Sequence, residues 1–558
     1  MDSAAAAWTL FTEESSSDDT VDDEPRPPLR PLGDAFILRL PGDALRLAVA
    51  YIDVNDAACF ECACRGGQNT VEISCGDRAT VLARRQGESW AGLLSFVRAR
   101  RASSLPRQRG LAMGHQIGAS IDQSDGVLTT WGSVPWAQRL GLIAPSGVPR
   151  PFPPALIGGA TRCCSVAIGH RHLVVATATG RVYTFGSAAH GQLGRKIVAD
   201  EPGTPFLEEG TGLATRSACV EPLRTERIVA VAAGACHSLA ITSTGSLYSW
   251  GHDALGQCGH HAANPTTDIE SEAATASGRS AAGPFGVRHP YIRLLPTEVR
   301  IDGSGKRAPR ALRIGASQAA SAIVTATGLL YVAGTCGFSR AERDAAKRSA
   351  GSGLRSAPRP PRALLGKRRA AIVAVSTGAN ASFILAVDAS GACWASGSNS
   401  HGQLGLGDRR DRSVLQRVGG RYGIVVTDVA TGEAHSLAVD RSGGVWAWGD
   451  RRRAQCGDGY RGSYDADSLK PRRLVLREGG VAYRAVAVAA DGSSSLCRAV
   501  QSDLGAADLE GGEESLWAWG DDGDHDEVSG LGFGAPITTV TTGETLARVQ
   551  AVPRRLLA

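Results

Sequence analysis

HSLAITSTGSLYSWGHDALGQCG, residues 237–259, sets one alternating segment (HSLAIT) against a second (SLYSW) across a short STG turn. It then adds Trp250-Gly251 and, five residues after that glycine, Gly-Gln-Cys-Gly. Alternation with period two marks a strand, and Gly245 offers a turn residue free to take positive φ. Read alone, the stretch is a hairpin. It recurs, however: Trp-Gly closes GVLTTWG at Gly132, GGVWAWG at Gly449 and ESLWAWG at Gly520, with weaker versions at Phe185-Gly186, Ala333-Gly334 and Ser396-Gly397. The closing glycines define seven units at spacings of 52 to 83 residues.

The internal register is tight. A turn glycine precedes the closing glycine by six positions in the first six units, and Gly-Gln-Leu-Gly or a variant follows at Gly191, Gly256, Gly402 and Ala454. Upstream runs of small residues, such as VAVAAG at 229–234, suit an innermost strand where neighbouring sheets converge. The Gln of each GQLG has an amide with both a donor and an acceptor for loop backbone groups. Such a unit cannot bury both faces alone, so copies must stack, and sheets stacked radially close into a propeller. The steps exceed the roughly 40–45 residues of WD repeats and fit a unit of about 50 with insertions. Kelch is the rival at that length, but its double glycine followed by Tyr and Trp cannot be phased here.

These residues resemble the regulator of chromosome condensation repeat. His237-Ser238-Leu239-Ala240, His435-Ser436-Leu437-Ala438, Gly191–Gly194 and Gly402–Gly405 match it closely. The resemblance runs from about Gly110 to the C-terminus and implies an all-β, seven-bladed β-propeller. It implies little about function, because the matching residues are scaffold and propellers host many roles.

The expected organisation is an acidic, Ser-rich disordered tail at 1–32, an extension at 33–105, and the propeller at 106–558 with insertions near 260–286, 339–369 and 503–514. The extension has strand-like runs (AFILRL, ALRLAVAYIDV) and a helical pattern at SWAGLLSFVRARR. It is either an accessory module or the donor of a strand that helps close the ring. No 18-residue apolar run is present, so no membrane span is expected. The N-terminus lacks a basic start and a long apolar stretch, and the 13 cysteines then read as reduced thiols in cytoplasm, nucleus or both.

A formal charge of +5 is too mild to announce nucleic-acid binding, and an N-terminal tail acidic up to Arg26 speaks against chromatin. Basic clusters at Lys367, Arg368 and Arg369 and at Arg451, Arg452 and Arg453 are the candidate partner-binding residues. No P-loop, G-x-S-x-G elbow or H-E-x-x-H is present, so no catalytic residue and no cofactor is expected. His237 and His435 sit at a repeat position and read as structural hydrogen bonders, as do His190 and His401. Cys59, Cys62, Cys64 and Cys75 form a weak candidate zinc set, since C-x-x-C is followed by no second pair. Cys258, near His252, His260 and His261, is weaker still.

The expectation is a monomeric, non-catalytic scaffold that docks a protein partner through loops on one propeller face and the insertions. The alternative implied by the resemblance is guanine-nucleotide exchange on a small GTPase of the Ran type, which needs no covalent chemistry. Ultraviolet sensing, a further role in the family, is not expected, because Trp131, Trp250, Trp448 and Trp519 occupy the scaffold position.

Overall fold

The computed structural model describes residues 70–75, 78–83, 110–114, 117–122, 125–132, 150–195, 213–260, 292–299, 301, 309–335, 371–419, 424–458, 467–478, 481–501, 514–520 and 554–556. The chain divides into two units, Met1–Arg101 and Ala102–Ala558. In the first unit the described part is an antiparallel hairpin, Thr70–Cys75 with Arg78–Ala83, in register from Thr70 opposite Ala83 to Cys75 opposite Arg78.

The second unit is a seven-bladed β-propeller of antiparallel sheets. Blade 3 shows the plan. Its inner strand Ile228–Ala233 pairs with His237–Thr242, which pairs with Leu247–His252, which pairs with the outer strand Ile292–Glu298. Blades 1, 2, 5 and 6 repeat this at Leu111–Pro151, Cys163–Cys219, Ile372–Arg417 and Val426–Leu474, each with four strands. Blade 4 has three described strands between Ala311 and Gly334. Blade 7 runs from Leu476 to Leu556 and carries a fifth, short strand, Leu476–Glu478, beside its long inner strand Val481–Asp491.

Small residues occupy the inner strands because each strand feeds two cores. Val231 and Ala233 of blade 3 pack toward blade 2 with Val174, Ala176 and Trp250, while Ala230 and Ala232 join Leu239, Ile241, Val299 and Ala311 on the side of blade 4. Alternation buried on both faces is therefore what VAVAAG encodes. The inner strands of blades 2 to 7 also share one irregularity that the pattern did not announce. Each skips one residue, near its start in blades 2 to 6 and midway along the longer strand of blade 7: Cys164, Val229, Leu312, Val373, Thr427 and Val486. A bulge at that place bends the strand and increases its twist where the blades diverge.

The ring closes by packing blade 7 on blade 1. Ala487 and Ala489 meet Leu111, Met113 and Trp131 in one apolar cluster. Arg498, 1% exposed, donates from Nη2 to the Gly110 and Ile121 carbonyls at 2.9 Å and to Ser120 Oγ at 2.7 Å. Among the described residues, every blade draws its strands from one continuous segment of chain.

Candidate interaction face

Strand register sorts the loops. The turns after the inner strands and the loops after the third strands, including GQLG, share one end of the ring; the STG-type turns share the other. At the GQLG end the glutamine does two jobs. Its side-chain Oε1 accepts from a backbone N–H two residues earlier: His190, Leu255, His401 and Arg453 donate to Gln192, Gln257, Gln403 and Gln455 at 2.7–2.9 Å. Its backbone carbonyl accepts from the next blade: Trp250, Trp448 and Trp519 donate through Nε1 to Gln192, Gln403 and Gln455 at 2.8–2.9 Å. The expectation that Gln satisfies loop backbone is met, and three of the four scaffold tryptophans, Trp250, Trp448 and Trp519, prove to be inter-blade fasteners.

The repeat histidines belong to the same joints. Ser238, Ser321 and Ser495 each donate to the glutamine carbonyl of the preceding blade, Gln192, Gln257 and Gln455. Their hydroxyl oxygens must then accept from His172, His237 and His435 Nε2 at 2.8–2.9 Å, which fixes the Nε2–H tautomer. Burial holds these imidazoles neutral, with pKa values lowered to about 3, 3 and 4. In each of these blades the ring also fills the space where a Cβ on the upstream glycine would stand, Gly234 against His237 being one case.

Blades 1, 4 and 5 put Ile117, Ala320 and Phe383 at the histidine position; blade 7 differs again, which the sequence reading missed. Ser494 takes the histidine position, and Asp491 takes the glycine position. The fully buried Asp491 carboxylate accepts from Asn380 N and Nδ2 of blade 5 at 3.2 Å, reaching past blade 6. Burial raises its pKa to about 7. The signal was available as VAVAAD against VAVAAG.

His190 and His401 differ from the joint histidines. His190 stacks edge-on against His252 at 5.4 Å, and His401 Nδ1 lies 3.3 Å from Asp467 Oδ2. Cys258 is buried and donates to the His252 carbonyl at 3.5 Å; burial also raises Cys393 to about 12 and Cys456 well above the usual thiol range. These thiols are core side chains and not poised nucleophiles.

The arginines of blades 5 and 6 cluster at the GQLG end. Arg451 pairs with Asp458 at 2.5 Å, and Arg452 grips Asp450 with Nε at 2.9 Å and Nη2 at 2.6 Å. Arg453 is exposed at the tip of the loop that Gln455 pins. In blade 5, Arg409 pairs with Asp467 at 3.1 Å, Arg412 with Asp408 at 2.6 Å, and Arg410 is exposed. What the sequence reads as a basic run is therefore a set of arginines interleaved with aspartates. Lys367, Arg368, Arg369, Cys59, Cys62, Cys64, the tail and the three insertions lie outside the described residues, apart from residue 260 and Glu514. Cys75 falls in the Thr70–Cys75 strand, whose side chains are not described.

A closed ring of seven sheets, joined blade to blade through Gln, Ser, Trp and His of a repeating motif, defines a β-propeller of one particular build. The chain belongs to the regulator of chromosome condensation (RCC1) repeat family: models of that repeat match residues 228–257, 426–455, 179–241 and 390–439. Among curated proteins, the human E3 ubiquitin-protein ligase HERC2 is 29% identical over 326 residues, 58% of this chain and 6% of HERC2. The Arabidopsis thaliana mitochondrial RCC1 domain-containing protein RUG3 is 27% identical over 309 residues, 54% of this chain and 56% of RUG3. The chain thus spans a small part of the first and about half of the second. The fold is shared with yeast RCC1 (Prp20), solved bound to Kap60, at 18% identity and TM-score 0.54, covering 82% of this chain and 87% of that one. A structure of Prp20p from Saccharomyces cerevisiae, described with its binding to Gsp1p and histones, gives 19% identity and TM-score 0.53 over 78% and 87%. Among the described residues, no helix is long and apolar enough to cross a membrane.

Proposed function

We propose that this chain is a non-catalytic docking propeller of the cytoplasm or nucleus, acting as a monomer and binding a protein partner at the GQLG end through the loops of blades 5 and 6. One observation carries the reading: the loops are pinned by Gln403 and Gln455 to the next blade, while Arg409, Arg410 and Arg453 stand exposed on them. Rigid display of exposed side chains lowers the ordering cost of binding. Lys367, Arg368 and Arg369 are proposed as further contacts to the same partner. The buried histidines and thiols support a scaffold, because their protons are committed to the blade joints and the core.

Binding of Gsp1p, Kap60 and histones by Prp20 supports a protein partner and keeps nucleotide exchange as the alternative. Both readings meet in one experiment. Affinity capture from cell extract, compared between wild type and the Arg410→Glu/Arg453→Glu variant, should lose a defined partner at unchanged thermal stability. Labelled GDP on Ran-type GTPases should be released at the uncatalysed rate. Unaltered capture would end the docking assignment, and dose-dependent GDP release would transfer the function to exchange.

A further inference from the structure

Where blades 5 and 6 meet at the GQLG end, three side chains converge that the joints do not use. His401 comes from the blade 5 loop, Asp450 follows the third strand of blade 6 (Val445–Gly449), and Asp467 precedes its outer strand (Ser468–Leu474). One ligand atom from each lies within 4.8 Å of the other two. Asp467 is the centre of the group. Its side chain is 1% exposed, its Oδ2 lies 3.3 Å from His401 Nδ1, and its Oδ1 has no hydrogen-bond partner among the described residues. An unpaired carboxylate oxygen removed from water is costly unless something else satisfies it. Two cations now offset the aspartates: Arg452 on Asp450, and Arg409 on Asp467. They differ in hold. Arg452 grips with two nitrogens, whereas Arg409 reaches Asp467 through Nη2 at 3.1 Å and its side chain is 42% exposed.

We propose that His401, Asp450 and Asp467 form a binding site for a borderline divalent transition ion, Zn²⁺ foremost, and that Arg409 holds the place of the cation until the metal displaces it. One imidazole and two carboxylates are a donor set that zinc accepts, at about 2.0–2.2 Å from each ligand. Drawing the three donors together requires side-chain shifts of about 1 Å, since tetrahedral ligands stand a little over 3 Å apart. His401, at 20% exposed, marks the open side, where water completes the shell. The site would tie the blade 5 loop to blade 6 directly beneath the exposed arginines.

The test is titration of the chelator-washed, full-length protein with Zn²⁺ by calorimetry, and with Co²⁺ by absorption. The expected result is saturable binding of both ions, with a cobalt spectrum of visible d–d bands that His401→Ala abolishes. His401→Ala and Asp467→Asn should each weaken zinc by at least ~10-fold, and Arg409→Gln should tighten it several-fold by removing the competitor. Because Arg409→Gln alters an exposed side chain, it tests the site even if Asp467→Asn fails to fold. Absence of saturable binding, affinity indifferent to both His401 and Arg409, or a cobalt spectrum carried by thiolate charge transfer and retained in His401→Ala would overturn the assignment.

Discussion

Ala454 stands where blades 2, 3 and 5 place the first glycine of GQLG, and it is the single non-glycine residue with positive φ among the described residues, at +59°. Gly191, Gly256 and Gly402 hold the same turn at +72°, +76° and +74°. An L-residue in that region carries about 1–2 kcal/mol of strain, partly offset because glycine has more freedom to lose on folding. Ala454→Gly should therefore stabilise the protein by about 0.5–1 kcal/mol. Gly402→Ala should cost more than the reverse gain, because a Cβ there would meet Leu469 Cδ2 at 2.5 Å. Urea unfolding of the two variants against wild type checks both signs, and a destabilised Ala454→Gly would show that the alanine methyl is packed and not strained.

At the scale of the blade, the histidine joints make stability depend on pH in a definite direction. His172, His237 and His435 titrate at about 3, 3 and 4 when folded, far below the ordinary 6.5. A depressed folded value means the unfolded chain takes up the protons. Their contribution is present above 6.5 and is lost as pH falls toward 3, at about 1.4 kcal/mol per pH unit for each histidine. Asp491 acts in the opposite sense: its folded value of about 7 lies above the ordinary 3.8, so its burden is greatest at alkaline pH and is relieved as the solution is acidified. Three groups outweigh one, so the thermal midpoint should fall between pH 6.5 and 5. His237→Gln should flatten that slope by about half, and Asp491→Asn should steepen it. A midpoint flat across this range, or slopes unaltered in both variants, would place these protons elsewhere.

The same joints show which parts of the element were legible in the sequence. HSLA, WG and GQLG recur, and each is a fixed partner in one inter-blade contact; a residue constrained by a repeated partner repeats with it. Seven blades, both-face burial and the glutamine's backbone role were readable for that reason. The bulge at Val229 and its equivalents was not, because the bulged position holds Cys, Val, Leu and Thr by turns and carries no single chemical mark. The candidate site was least legible. Arg451 and Arg452 read as a basic run, since their partners Asp458 and Asp450 become partners only when the loop folds back. His401 likewise gains Asp467 from 66 residues along the chain.

For the whole molecule, the weakest seam of a ring is where its first blade meets its last, since no peptide joins them directly. Trp131 Nε1 is buried there and, among the described residues, lacks the carbonyl partner that Trp250, Trp448 and Trp519 each find on the preceding blade. Arg498 bridges that joint, linking residues 377 to 388 positions apart through one buried Nη2. Removing it takes a buried donor from the Ile121 carbonyl and the Ser120 hydroxyl, while the Gly110 carbonyl keeps the Ile121 N–H; each lost bond in an interface that water cannot reach costs about 1–3 kcal/mol. Arg498→Met, which keeps the bulk of the stem, should therefore lower stability by about 3 kcal/mol or more. Exposed Arg417→Met, on the outer strand of blade 5, should stay within about 0.5 kcal/mol. The location of the damage matters more than its size. Hydrogen exchange in Arg498→Met should accelerate first in Leu111–Gly114 and Val481–Asp491, the two strands that meet at the seam, while Ile228–Ala233 and Ile372–Ser376 keep their protection. Uniform acceleration around all seven blades would mean that the ring opens cooperatively and that Arg498 is one contact among many, not the closure.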